Sequence, residues 1–132
     1  MTSMSAILGL VALAAASSQH SATGDGIAVA KRLVAAIRGE AQFQDGDFAT
    51  TPGADDKAAL RRFARCKVEL IDYTLLPDPE ERDTYVHNPN SVLVAFGCRG
   101  VPSDHAAGLT LHLKDGKIGT IETHNADLVK AR

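Results

Sequence analysis

"LHLKDGKIGTIETHN", residues 111–125, decides how this chain folds. Apolar and polar residues alternate on both sides of Asp115-Gly116. An Asp-Gly pair between alternating runs marks a two-residue hairpin turn, because both turn positions need positive φ. The last two strands are therefore "HAAGLTLHLK" (105–114) and "KIGTIETH" (117–124). Counting outward from such a turn pairs Lys114 with Lys117, Leu113 with Ile118, Leu111 with Thr120 and Leu109 with Glu122. On that register Leu109, Leu111 and Leu113 share a face with Ile118, Thr120, Glu122 and His124. The opposite, wetter face carries Thr110, His112, Ile121 and Thr123. Glu122 and His124 are thus expected on the side covered by helices.

Upstream, "SVLVAFGCRG" (91–100) places Val92, Val94, Phe96 and Cys98 on one face of a strand launched by a turn at "NPN" (88–90). "CKVELIDYTLL" (66–76) sets Val68, Leu70 and Asp72 against Lys67, Glu69, Ile71 and Tyr73. Pro77, Pro79 and "EERD" end that strand in an exposed acidic loop. Further back the period is helical. Ile27, Val29, Ala30, Leu33, Val34 and Ile37 form one stripe of a helix over 26–38, capped by Asp25 and stopped by Gly39. A loop follows, from which Phe43 and Phe48 turn inward. A second helix, capped by Asp55 or Asp56, buries Ala59, Leu60, Phe63 and Ala64 and ends near Arg65. Two helices followed by four antiparallel strands is an α+β pattern, with N-terminal helices packed on a curved sheet of about four strands.

The 132 residues suit a single domain, and 45% apolar with 23% charged residues is a soluble globular balance. A net charge of −2 argues against a nucleic-acid partner, which needs a basic surface. Lys57, Arg61 and Arg65 lie four apart and read as a solvated helical stripe. The first residues differ from the rest. "AILGLVALAAA" (6–16) is uncharged and apolar, long enough for a secretory signal and too short to span a bilayer. Cleavage after Ala16, with Ser18 as the alternative, leaves residues 17–25 as a polar, flexible lead and no stable membrane anchor. The n-region "MTSMS" lacks Lys and Arg; the competing reading is an N-terminal helix of the domain. Cys66 and Cys98, the two cysteines, stand far from any metal-ligand spacing. Export to the periplasm or beyond favours one disulfide between them, whereas a cytosolic chain would hold two buried thiols.

The element order from Gly26 to Asn125, with the closing "LKDGKIGTIETHN", resembles the nuclear-transport-factor-2-like superfamily, and small exported bacterial members of it in particular. The resemblance implies a single domain over 26–132 and a cone whose pocket lies between helices and sheet. It also implies homodimers that pair through the sheet. The chain departs from the family in its short helical region and in the acidic loop after the first long strand. No catalytic motif of the family matches.

Two functions fit this frame. One is non-catalytic binding of a small apolar ligand or a protein partner, with Phe63, Tyr73 and Phe96 lining a cavity and Thr120 and Glu122 as polar contacts. The alternative is a cofactor-free isomerase, dehydratase or hydrolase. In that case Glu122, assisted by His124 and Asp72, acts as general base or acid. It requires at least two of those three side chains at one closed site; otherwise they are strand-end polar groups. No metal is expected, since His112 and His124 fall on opposite faces of the predicted hairpin, and no serine carries a nucleophile motif. Binding is the reading adopted, with no cofactor.

Overall fold

The computed structural model describes residues 26–102 and 104–129. The expected leader (1–16), the polar lead and the Asp25 cap lie outside them. The first helix, α1 (26–37), forms where the apolar stripe predicts it, and Val29, Ala30, Leu33, Val34 and Ile37 are buried. It stops at Gly39, whose φ of +80° lets its N–H turn back to the Ala36 carbonyl at 3.1 Å. At its other end Gly26 leaves room for the Tyr73 ring: a Cβ there would lie 2.8 Å from it. The second helix, α2 (Ala54–Leu60), continues into a 3₁₀ turn at Arg61–Phe63. Its N-cap is Gly53 without a side-chain cap, rather than Asp55 or Asp56, which occupy the first turn where their charge suits the helix dipole.

Four antiparallel strands follow as an open, curved meander: β1 (Lys67–Pro77), β2 (Tyr85–Gly97), β3 (Ala107–Lys114) and β4 (Lys117–His124). The helices precede the sheet and pack on one face of it. That face carries Val92, Val94, Leu109 and Leu111, which are fully buried, and Phe63 stacks on Phe96 with ring centroids 4.9 Å apart. The fold is therefore α+β, as the order of periodicities requires. No helix among the described residues is long and apolar enough to cross a membrane.

Cys66 and Cys98 form a disulfide, with Cα atoms 4.5 Å apart beside the Lys67–Gly97 pair that opens the β1–β2 ladder. Closing a loop of that length stabilises the fold by about 3–4 kcal/mol in the chain-entropy picture. The expected turn at "NPN" is not where the chain reverses. Reversal occurs over 78–84, where the Asp78 N–H bonds the Thr84 carbonyl and Asp83 takes φ of 64°. β2 then runs through Asn88, Pro89 and Asn90. Pro89 is tolerated because the ladder is irregular there, passing from Tyr73–Val92 to Thr74–Asn88. The Asn88 side chain accepts the Asn90 N–H at 3.0 Å within that irregularity.

The Asp-Gly hairpin forms as read, with φ of 54° at Asp115 and 79° at Gly116, and Lys114–Lys117 and Leu113–Ile118 pair. One residue further, the register changes. His112 pairs with Thr120, Leu111 with Ile121, Thr110 with Glu122 and Gly108 with His124. Gly119 is an extra residue on β4, a β-bulge, and every side chain after it is turned to the other face. β1 does the same at Glu69. Val68 pairs with Phe96, but Leu70 with Ala95, Ile71 with Val94 and Asp72 with Leu93. Ile71 and Tyr73 therefore look inward with Val68, and Leu70 and Asp72 look outward.

Candidate functional site

The bulges decide where the acid and histidine residues stand. Glu122 and His124, expected beneath the helices, lie on the outer face of the sheet together with Thr110 and His112. Glu122 is hydrogen-bonded to His112 through Oε1 and Nε2, and both side chains are about half exposed. His124 Nε2 meets Thr110 Oγ1 at 2.7 Å. Asp72 bonds its neighbour's backbone, accepting the Tyr73 N–H at 2.7 Å. Leu93 and Thr110 stand between Asp72 and Glu122 in the same cross-strand row, which separates them by three strand spacings, about 14 Å.

No hydrogen bond joins Glu122, His124 and Asp72 to one another among the described residues. The enzyme reading required two of them at one closed site, and that requirement is not met. An exposed pair such as His112–Glu122 is worth at most about 1 kcal/mol. The two hairpin histidines share a face after all, a second consequence of the bulge. Even so, no group of three or more metal-ligating side chains is assembled among the described residues.

The aromatic candidates are placed differently again. Phe63 and Phe96 are core residues, stacked and almost wholly buried. Tyr73 is half-buried against Gly26, in edge contact with His87, and its buried hydroxyl has no partner. In the basic stripe Arg61 and Arg65 are exposed, as the spacing suggests, and Lys57 is half-buried. Lys57 and Arg61 lie over the Phe43 ring, 5.4 and 5.3 Å from its centroid, so their charge shields an aromatic face.

A largely apolar concave feature lies on the inner side of β4, near its edge. The segment after a 3₁₀ turn at Asp45–Asp47 meets that edge: Phe48 bridges Ile118 in parallel, and the Ala49 N–H bonds the Ile118 carbonyl at 2.9 Å. The chain then leaves through Thr50, Thr51 and Pro52 to α2 and opens a cleft of about 360 Å³. Phe48, Pro52, Leu60, Ile118 and Ile121 supply its apolar walls. Thr50, Thr51 and Thr123 add hydroxyls, and Asp56 is the charged group among its lining residues. Of the expected binding residues, Thr120 borders this cleft at the strand edge although it pairs with His112, which puts its side chain on the outer face with Glu122. Phe48 was readable as an inward aromatic, but not as the residue that pairs with β4. Ile121 was assigned to the wet face for want of the bulge.

Comparison with protein-family models, curated proteins and solved structures finds no match to this chain.

Proposed function

We propose that this protein is an exported, non-catalytic binding domain that receives a small apolar group in the cleft between β4 and the 48–60 segment. The observation that carries this is the cleft itself. Its apolar walls and few hydroxyls are the usual composition of a small-ligand site, and its volume is at the lower end of the range for one. The disulfide favours an oxidising compartment, and with it the reading of residues 1–16 as a secretory signal. The order of two helices and a four-stranded meander supports kinship with the nuclear-transport-factor-2-like superfamily. In that kinship the outer sheet face serves pairing between copies rather than catalysis.

A neutral fluorescent probe, N-phenyl-1-naphthylamine, tests the cleft. Its emission should rise on binding, and Thr51→Trp, which fills the cleft from its exposed rim, should abolish the rise without unfolding the protein. Equal binding by that folded variant places the probe elsewhere and overturns the reading.

A further inference from the structure

β4 is an edge strand, and its edge is used over only part of its length. At Ile118 it takes the parallel pairing of Phe48–Ala49. Because the Ile118 carbonyl points to that edge, strand alternation, counted across the bulge with Thr120 turned to His112, sends the backbone groups of Ile121 and Thr123 the same way. No backbone group among the described residues pairs with them. An unpaired row of N–H and C=O groups is a template for another strand, and chains ordinarily blunt it with lysine, proline or a covering segment. The run Thr120–Thr123 has neither lysine nor proline, and Thr120, Glu122 and Thr123 are exposed. The segment that covers Ile118 departs just where the open edge begins, and the cleft lies in the space it leaves.

We propose that an extended peptide adds as a fifth strand to the open edge of β4 at Ile121–Thr123, with alternating apolar and basic side chains. This rests on the cleft being a binding site and names what delivers the apolar group. Side chains on an added strand share faces with their neighbours on β4. Those on the inner face enter the cleft beside Ile121 and Phe48, which selects apolar residues. Those on the outer face stand beside Glu122, whose carboxylate stays more than half exposed beside His112, so the charges that complement the site there are basic. Backbone hydrogen bonds supply a sequence-independent part of the affinity, and the alternation supplies selectivity.

Three capped heptapeptides test this on the full chain: Lys-Val-Lys-Leu-Lys-Val-Lys, the same peptide N-methylated at its Val and Leu residues, and the same N-methylated at its inner Lys residues. Only one edge of an added strand faces β4. Exactly one N-methylated peptide should therefore lose affinity, by about tenfold or more, while the other stays within about threefold of the parent. The parent should displace N-phenyl-1-naphthylamine and protect the Ile121 and Thr123 amides from hydrogen exchange. Equal weakening of both methylated peptides, or of neither, overturns strand addition, as does binding without displacement or without protection. If the fluorophore binds and the parent peptide does not, this inference falls and the cleft reading stands. If neither binds, both fall.

Discussion

The two edge strands of the sheet solve the same problem by different means. Each carries one bulge, and each bulge turns acidic side chains outward that simple alternation assigns to the core face. In β4 the extra residue is itself a glycine. A Cβ on Gly119 would come within 3.3 Å of the His112 carbonyl, so a side chain there would press that backbone group aside by a few tenths of an ångström. In β1 the extra residue is Glu69, and the glycine is on the partner strand: the Glu69 carboxylate lies over Gly97, 2.9 Å from where a Cβ would be. One bulge accommodates backbone, the other a flexible side chain. The edges differ accordingly. β1 begins at the disulfide and at Arg38, whose guanidinium bonds the Cys66 carbonyl at 3.0 Å, whereas β4 is met at Ile118 and left open beyond it.

Inserting a residue beside a bulge breaks this comparison most severely. An alanine inserted after Gly119 shifts every later residue of β4 by one position and drives Thr120 and Glu122 toward the core in place of Ile121. Burying that unpartnered acid should cost about 3–5 kcal/mol, read as a fall in the urea midpoint. An alanine inserted after Glu69 should cost a similar amount by turning Ile71 and Tyr73 outward and Asp72 inward; wild-type stability in either insertion refutes the register. Next in size is the disulfide. The double variant Cys66→Ser, Cys98→Ser should lose about 3–4 kcal/mol, by the same measurement, since the loop it closes is long.

Alanine at the two glycines sharpens the contrast. Gly119→Ala presses on a carbonyl that must move and should cost about 1 kcal/mol or more, whereas at Gly97 the Glu69 carboxylate can swing aside, leaving a loss under about 1 kcal/mol. Equal losses would mean that the two bulges are not built differently. The smallest effect belongs to the outer-face pair: His112→Ala should shift stability by no more than about 1 kcal/mol. A larger loss would show that the His112–Glu122 contact does more than decorate the surface.

How much was legible follows from the range of each cause. The α1 stripe, the stop at Gly39 and the Asp115-Gly116 turn were readable because each depends on the conformational preferences of a few adjacent residues. The same holds for the inward face of Val92, Val94 and Phe96, which no bulge interrupts. The turn at "NPN" was misplaced because Pro89 sits at a ladder irregularity, and a proline there looks the same in sequence as one in a loop. Glu122, His124 and Asp72 were misassigned for a related reason. Period-two counting carries one inserted residue through every position beyond it, and neither Glu69 nor Gly119 announces itself as an insertion.

By itself, then, the sequence determined the α+β class, the helix stripe, the final turn and the two cysteines available to pair. These rest on local dihedral preference and on apolar spacing along single elements. Tertiary structure alone decided which face each side chain beyond a bulge occupies, that Phe48 pairs with Ile118, and that a cleft opens beside β4. The last two depend on contacts between segments about seventy residues apart, and the first on cross-strand pairing, none of which neighbouring residues record.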